Sequence, residues 1–441
     1  MDTGTRRGTP GHTLLFLALA SLLPQVAGAI DLEYEASLGV IHNSNIALSE
    51  TDEISETTIS PGIAFEVSQE GATLELAGRG NVRYLHYTGN SFDDEFRGQF
   101  TGHLRWRVIP ERLDFIAEDY LSEQPVDILS SFAPNNTQRV NIVTGGPTLY
   151  LRFNGNTRGQ FDLRYSRSHA EETTDFNGHR YNAALRVLRD FSATTRGSLN
   201  LESTRVDFDE AGSSVDYDRH DGYLNFQRNL NRIDFSLDAG YSRLERDGIG
   251  GDHSNHSSAL FRADFNWRAT AFGTLSLHAD HQFSDATQAL SKLSLGPEAP
   301  VGTDIDPGGT VISSDTYRQR DIRATWHQAD DVSTLDVGVY RTRSRYIGDD
   351  SFDNDVSGAH INYEYRIRPL LTVSASAFHQ RREFDNLDRR DRDTVLTAGV
   401  SRQFTRHWIG RFDLRRISRN STSPGLSHDD NAVIVSVIYR R

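Results

Sequence analysis

Residues 96–108 read Phe-Arg-Gly-Gln-Phe-Thr-Gly-His-Leu-Arg-Trp-Arg-Val, and this stretch decides the fold class. Every even-numbered position in it is apolar or glycine, and every odd-numbered position is polar. Side chains of a β-strand point alternately to its two faces, so this strand has one apolar face and one charged face. The alternation covers 13 residues, whereas a globular strand has about 5–6 residues and a strand that crosses a bilayer needs about 9–11. The pattern therefore predicts a strand of an outer-membrane β-barrel.

Similar strands recur from Ile30 to the end of the chain, and the links between them are alternately long and short. We count ten long links and nine short turns, which gives 20 strands, with 18–22 as the range. The short turns are rich in Asn, Gly and Pro, as hairpin turns are. The predicted fold is all-β, a single transmembrane antiparallel up-and-down β-barrel. A β-propeller is the main alternative, but its blades would repeat about every 40–50 residues, and we find no such repeat.

The orientation of the barrel follows from the order of the links. In bacterial barrels, short turns face the periplasm and long loops face the outside. The first strand after Ile30 leads into a long link, and the number of strands is even. We therefore expect both termini in the periplasm of a Gram-negative bacterium, with the chain in its outer membrane.

Residues 1–29 have the pattern of a secretion signal. Arg6 and Arg7 precede an apolar core at residues 14–23, and Ala27-Gly28-Ala29 fits a cleavage site. We expect two regions, a signal peptide at 1–29 and the barrel at 30–441. Beyond the N-terminus, no apolar stretch approaches the roughly 20 residues of a transmembrane helix.

Composition excludes several classes of function. The net charge of −14 argues against a nucleic-acid partner. The chain has no Cys, so it can form neither a disulfide nor a thiolate metal site. Lys292 is the only lysine, and all other basic side chains are Arg or His. We expect no cofactor.

The polar face of the strands is rich in Arg, interleaved with Asp, Glu and His. If the apolar face meets lipid, this polar face lines the lumen. One interpretation is a water-filled interior in which opposite charges pair across strands. The other is a ladder of Arg side chains that guides an anionic solute such as an acidic sugar chain, because Arg binds carboxylate and phosphate through two hydrogen bonds. The candidate lumen-lining residues are Arg97, His103, Arg105, Arg107, Arg158, Arg164, Arg262, Arg323, Arg366, Arg411 and Arg415.

The longest link spans residues 285–314 and is rich in Gly and Pro. A link of about 30 residues is usually functional or disordered. It either folds inward and narrows the pore or stays outside the barrel, and the sequence leaves both alternatives open. The candidate pore-constriction residues are Gly296, Pro297, Pro300 and Pro307.

We searched the chain for catalytic and metal-binding patterns. No nucleophile elbow, HExxH or phosphate-binding loop is present. Asp252, His253 and His256, in a link that leads into a strand, form the best cluster for a metal. The long links carry clusters of acidic residues that either bind divalent cations shared with lipopolysaccharide or remain solvated. We expect neither an enzyme nor a resident metal.

Two segments resemble a family of outer-membrane β-barrel porins encoded beside exopolysaccharide synthesis and protein-sorting loci. Residues 39–48, Gly-Val-Ile-His-Asn-Ser-Asn-Ile-Ala-Leu, look like the opening motif of that family, although Ser44 stands where an acidic residue is expected. Asn135-Asn136-Thr137 and the later residues 144–149, Thr-Gly-Gly-Pro-Thr-Leu, look like its mid-chain signature. The resemblance implies a barrel that takes part in polysaccharide export. It carries no catalytic residues.

The sequence thus predicts a passive channel or exit port, with exopolysaccharide or another anionic solute as the candidate cargo. The alternative is a plugged or closed barrel that serves as the scaffold of an export machine or as a surface adhesion protein. The expected partners are outer-membrane lipid and lipopolysaccharide, the barrel insertion machinery and exopolysaccharide export proteins. The last strand ends in Tyr439-Arg440-Arg441 rather than on an aromatic residue, a departure from the usual signal that the insertion machinery reads.

Overall fold

The computed structural model describes residues 30–210, 214–247, 253–291 and 310–441. Most of these residues belong to 20 strands of one antiparallel sheet. The strands are β1 (Asp31–Asn43), β2 (Glu56–Glu70), β3 (Leu74–Tyr87), β4 (Glu95–Ile109), β5 (Leu113–Pro125), β6 (Thr137–Arg152), β7 (Thr157–Ala170), β8 (Gly178–Ser192), β9 (Thr195–Phe208), β10 (Asp216–Asn229), β11 (Ile233–Asp247), β12 (His253–Arg268), β13 (Gly273–Asp285), β14 (Thr316–Ala329), β15 (Ser333–Tyr346), β16 (Asn354–Arg368), β17 (Leu371–Phe384), β18 (Arg389–Gln403), β19 (Trp408–Ser421) and β20 (His428–Arg440).

Helical structure is sparse in the described residues. One short α-helix, α1 (Ala286–Ser291), follows β13, and three 3₁₀ turns lie at Pro134–Asn136, Thr174–Phe176 and Asp350–Phe352. Among the described residues, no helix is long and apolar enough to span a bilayer.

The sheet closes on itself. Each strand pairs with the next one along the chain, and β1 also pairs with β20, from Glu35 opposite Arg440 to Asn43 opposite Ala432. The predicted antiparallel barrel and its 20 strands are therefore confirmed. The long links lie together at one end, here called the long-loop end, and the short links lie at the other, the short-turn end. Both Ile30 and Arg441 are at the short-turn end.

The two faces of the wall differ as the alternation predicts. Apolar side chains such as Phe96, Leu224 and Ile322 are 63–67% exposed on the outer face. On the inner face, Asp114 and Asp413 are only 1–2% exposed. Charged side chains are rarely buried unless they are paired, and most of the buried charges here have partners, as described below.

The wall is incomplete between β12 and β13. These strands pair over eight residues, from Phe261 opposite His281 to Arg268 opposite Thr274. Toward the long-loop end, β12 continues to His253 with β11 as its only partner, and β13 continues with β14 as its only partner. The two strands therefore separate in their upper halves.

The upper half of β13 lies inside the barrel. Phe283 near its end is 2% exposed and packs against Val206, Tyr217 and Leu244. These three side chains are on the inner face of β9, β10 and β11. A strand that stayed in the wall beside β12 would leave Phe283 on the outer face, so the chain has turned inward before β13 ends.

Residues 39–48 and 144–149, which carry the family resemblance, each make a contact that stabilises the barrel wall. At the β1–β20 seam, the buried Asp430 carboxylate accepts hydrogen bonds from Asn43 Nδ2 at 2.7 Å and from the backbone N–H of Asn45 at 2.9 Å. In β6, a Cβ on Gly146 would lie 2.0 Å from the carbonyl oxygen of Leu163, so only glycine fits that approach.

Candidate functional site

A segment folded into the barrel is the most distinctive feature of the interior. It comprises residues 286–291 and 310–315, and we call it the mouth segment. It begins where β13 ends inside the wall, continues as α1, and returns to the wall at β14. Leu290 is 0% exposed and Ile312 is 4% exposed, although both belong to a link between strands.

Apolar contacts hold the mouth segment against one side of the wall. Ala286, Leu290 and Ile312 form a buried cluster with inner-face side chains of β5, β6 and β7 and with the 3₁₀ turn after β7. The partners on the wall are Tyr120, Val140, Ile142, Ala170 and Phe176. These residues are near the long-loop end of their strands, so the segment occupies the mouth of the barrel.

A buried ion pair anchors the start of the segment. Arg180 Nη2 on β8 donates to Asp285 Oδ1 at 2.7 Å, and the Tyr217 hydroxyl donates to Asp285 Oδ2 at 2.7 Å. The backbone N–H of Gln288 donates to the same carboxylate at 3.0 Å. Asp285 is 3% exposed. The bonds from Arg180 and Tyr217 would be lost if Asp285 and α1 left the mouth together, whereas the bond from Gln288 would be kept.

A second arginine holds the same turn. Arg219 Nη1 on β10 donates to the carbonyl oxygen of Phe283 at 3.2 Å and to Gln288 Oε1 at 2.8 Å. Its Nε lies 3.2 Å from the Asp221 carboxylate, which balances the charge. Arg180 and Arg219 therefore attach α1 to two neighbouring regions of the wall.

The returning arm of the segment is held by polar contacts. Arg246 Nη2 on β11 donates to Asp315 Oδ1 at 2.7 Å. The backbone N–H of Ser314 lies 3.4 Å from Asp175 Oδ2 in the link after β7. Burial raises the pKa of Asp175, the hydrogen bond from Ser314 lowers it, and the charges of Glu210 and Asp315 raise it further.

A second link covers another part of the mouth. This is the link between β5 and β6, which contains Leu129 and Ser131. Arg389 Nη1 of β18 donates to the carbonyl oxygen of Leu129 at 2.6 Å. The Ser131 hydroxyl lies 3.5 Å from His428 Nδ1 of β20. Asn136, from the mid-chain signature, donates to the carbonyl oxygens of Asp127 and Ser131 and thereby holds the link in shape.

Solvent reaches the inner face deeper in the barrel. The side chains of Glu118, Asp264 and Arg323 are each 55% exposed, and that of His103 is 47% exposed. The interior is therefore open around the middle of these strands, whereas side chains around the mouth segment are buried. This arrangement can admit water and polar solutes from the short-turn end and obstruct them at the mouth.

The structure places the predicted Arg and His residues on the inner face, mostly beside carboxylates. The pairs are Arg97–Glu95 (2.8 Å), His103–Glu118 (3.1 Å), Arg105–Asp114 (2.7 Å), Arg107–Glu75, Arg158–Asp190 (3.0 Å), Arg164–Asp162 (3.5 Å), Arg262–Asp238 (3.3 Å), Arg323–Asp321 (3.9 Å) and Arg411–Asp413 (2.7 Å). Arg366 donates to the carbonyl oxygen of Asp331 at 3.1 Å. Arg415 is 8% exposed, and within the described residues its Nε and Nη1 have no hydrogen-bond partner.

Other predicted site residues fall in different places. Gly296, Pro297, Pro300 and Pro307 lie outside the described residues, and so does Asp252. His253 Nδ1 lies 2.8 Å from Asp247 Oδ1. The described residues contain no group of three or more His, Asp or Glu side chains arranged to hold a metal ion.

Sequence reasoning missed the residues that hold the mouth segment. Arg180 and Asp285 are 105 positions apart, and no pattern connects them. One local signal was present, because Ala286 and Leu290 have the i, i+4 spacing of a helix face. That spacing indicates a short helix with an apolar side, which needs a surface to cover it.

No protein-family model matches the chain, and no curated protein matches it. The resemblance to the exopolysaccharide-associated family therefore stays a prediction. Several solved structures are similar in fold. The FrpB iron transporter from Neisseria meningitidis (F5-1 variant, apoprotein form) is 9% identical, with a TM-score of 0.49 over 93% of this chain and 81% of that chain.

Two further structures are similar over nearly their whole length. OpdK from Pseudomonas aeruginosa with vanillate is 9% identical, with a TM-score of 0.37 over 93% of this chain and 99% of that one. A loop L8 deletion mutant of OmpT, an outer membrane protein of Vibrio cholerae, is 9% identical, with a TM-score of 0.36 over 94% and 100% of the two chains. At this identity the likeness concerns the fold alone.

Proposed function

We propose that the chain is an outer-membrane channel, or exit port, whose extracellular mouth is closed by the mouth segment. The observation that carries the proposal is the combination of a closed 20-stranded barrel, a charged interior and a buried segment across its mouth. In this proposal the long-loop end is extracellular, and both termini are periplasmic.

The outer face supports the membrane location. Tyr241 and Trp267 are 58% and 41% exposed, and the strand between their levels is apolar on its outer face. Trp267 is eight residues along β12 from Ala259, the partner of Tyr241. At about 3.3 Å per residue and a tilt of about 40°, these aromatic side chains lie about 20 Å apart along the barrel axis. That separation is close to the apolar band of about 25 Å in outer-membrane barrels.

The size of the barrel supports transport. Barrels of 16–18 strands leave an aqueous channel, and barrels of about 22 strands enclose a plugged lumen. A 20-stranded wall is therefore too wide for its own side chains to fill. The exposed Glu118, Asp264 and Arg323 fit a water-filled lower lumen.

The proposed cargo is a hydrophilic polymer, with exopolysaccharide as the candidate. Support comes from the resemblance noted in the sequence and from the exposed charged side chains of the lower lumen, such as Glu118, Asp264 and Arg323. Because most predicted Arg side chains face a carboxylate, we expect weak rather than strong selectivity for anions. An acidic chain would then pass by exchanging partners with these pairs, not by binding to unpaired arginines.

A second candidate function is a closed barrel that acts as a scaffold for an export machine or for adhesion. The buried contacts of Asp285 and Leu290 favour it, because they stabilise the closed mouth. The two functions differ in one respect: a scaffold never opens, and an exit port does.

Permeability of proteoliposomes distinguishes them. Asp285 and Thr316 are direct partners across the β13–β14 hairpin, so an Asn-Gly turn can replace residues 286–315 without a change of register. We expect this variant to admit neutral and acidic oligosaccharides that the wild type excludes. If the variant excludes them as well, the channel proposal is wrong and the scaffold takes its place.

A further inference from the structure

The separation of β12 from β13 exposes a basic surface on the next strand. Arg318 and Arg320 on β14 are both exposed. They follow the point where the β12–β13 ladder ends, since His281 is the partner of Arg320 on β13. The upper half of β12 is not paired with β13 here, although Ser258 Oγ of β12 lies 3.1 Å from His281 Nε2.

Positive charges face one another across the two strands of this surface. Arg320 is the direct cross-strand partner of Arg343, and Arg318 is the direct partner of Arg345. Like charges in such positions destabilise a sheet. Arg343 and Arg345 share the Asp355 carboxylate at 2.6 and 3.1 Å, with Asp385 also 2.6 Å from Arg345.

Arg318 and Arg320 have no such compensation. Within the described residues, no carboxylate oxygen lies within 4 Å of either guanidinium, and Arg320 Nε contacts only His281 Nδ1, at 3.3 Å. Arg341 adds a further charge, since its side chain is 67% exposed and 3.7 Å from Asp355. The surface therefore carries more Arg than carboxylate.

Two arginines of the outer face on other strands are balanced. Arg205 lies 2.9 Å from Asp207, and Arg243 lies 2.8 Å from Glu245, each pair two residues apart on one strand. The excess of positive charge on β14 and β15 contrasts with these two pairs. It coincides with the only place where a ladder between described strands stops at eight residues.

The position of this surface along the barrel axis places it just above the apolar part of the outer face. Ile322, two residues below Arg320, is 67% exposed, and Val339, two residues below Arg341, is 53% exposed. These side chains belong to the apolar outer face. The arginines lie directly above it, toward the long-loop end, where the polar headgroups of the outer leaflet would be.

We propose that Arg318 and Arg320, with Arg341 beside them, bind a phosphate group of a glycolipid in the outer leaflet. The inference rests on the proposed membrane location. Guanidinium groups bind phosphate through paired hydrogen bonds. A phosphate dianion between β14 and β15 would relieve the repulsion of the two Arg–Arg pairs.

Binding of bisphosphorylated hexa-acyl lipid A to the purified, folded protein tests the proposal, measured by native mass spectrometry in detergent. The Arg318→Gln/Arg320→Gln variant is compared with a matched Arg205→Gln/Arg243→Gln variant and with dephosphorylated lipid A. We expect about tenfold weaker binding for the first variant and unchanged binding for the second, because two charge-assisted hydrogen bonds are lost. Thermal unfolding of each variant shows that it is folded.

Three results would overturn the site: equal binding of phosphorylated and dephosphorylated lipid by the wild type, wild-type affinity in the Arg318→Gln/Arg320→Gln variant, or an equal loss in both variants. The measurement uses folded protein in detergent and does not depend on conductance. A channel that conducts but lacks this binding contradicts only the lipid site, and a silent barrel that shows it contradicts only the channel.

Discussion

Arg180 and Asp285 form a buried ion pair of 2.7 Å that joins the wall of the barrel to the point where the chain crosses its mouth. The two residues are 105 positions apart, and Asp285 is 3% exposed. Removing one partner of a buried pair leaves an uncompensated charge, which is strongly destabilising. The position of the mouth segment therefore depends on this contact.

Arg180→Gln should loosen the mouth segment. The Asp285 carboxylate would keep the Tyr217 hydroxyl but lose its counter-charge, so release of the segment into water becomes more favourable. We expect the frequency of channel openings in a planar bilayer to rise about tenfold or more. Arg205→Gln removes an exposed pair with Asp207 and should leave the frequency unchanged. Equal behaviour of the two variants would show that the pair does not hold the segment.

Leu290→Asp should have a similar effect through apolar packing. Leu290 is 0% exposed among Val140, Ala170 and Phe176, and an ionised side chain has no partner there. The closed state should become unfavourable, and openings should be frequent. Leu387→Asp is the matched control, since Leu387 is 40% exposed in another link at the same end. Conductance traces of Leu290→Asp that match those of the control would contradict the packing described for α1.

Acidification should stabilise the docked mouth segment. Burial raises the pKa of Asp175 where Ser314 covers it, so the docked state binds a proton more readily than the released state. Docking is then favoured as pH falls from the raised pKa of the docked state toward the ordinary pKa of the released carboxyl, and above the raised pKa the cost of burying the ionised carboxylate is constant.

The absence of native Cys allows a direct measurement of this effect. The ratio of maleimide labelling rates at Leu290→Cys and at Leu387→Cys should fall as the pH is lowered from 7.5 through the raised pKa of Asp175. Adding Asp175→Asn to both variants should make the ratio independent of pH. A ratio that rises on acidification would show that the sign is wrong.

Asp430→Ala should weaken the closure of the barrel. The Asp430 carboxylate is 1% exposed and accepts hydrogen bonds from Asn43 and Asn45, which would be left unpaired. We expect the free energy of unfolding in urea to fall by about 2–3 kcal/mol. Asp429→Ala should change it little, because the Asp429 side chain is 51% exposed and pairs with an exposed Arg416. Similar losses in both variants would mean that the seam does not depend on Asp430.

The number of strands could be predicted from the sequence because its signal is local. Alternation of side chains and turn residues acts within about 15 residues, as in residues 96–108, and each hairpin follows independently of the others. Charge pairs within one hairpin or one strand could also be predicted from the sequence. His103 and Glu118 are direct partners across one turn, and Arg411 and Asp413 are two residues apart.

The mouth could not be predicted in the same way. Whether residues 285–314 fold inward depends on Arg180, Val140 and other residues that lie more than 100 positions away in the chain. The early end of the β12–β13 ladder was not predicted either, although residues 253–258 are all polar and lack the alternation of the other strands. These features depend on packing across the barrel rather than on neighbouring residues. The role of the predicted arginines in guiding a solute stays a prediction.

Single-channel conductance in a planar bilayer tests the central claim most directly, with the wild type compared with the variant in which an Asn-Gly turn replaces residues 286–315. A closed exit port predicts silence or rare openings in the wild type and steady conductance, with weak selectivity between anions and cations, in the variant. Silence in both proteins, or steady conductance of equal size in both, would contradict a mouth closed by this segment.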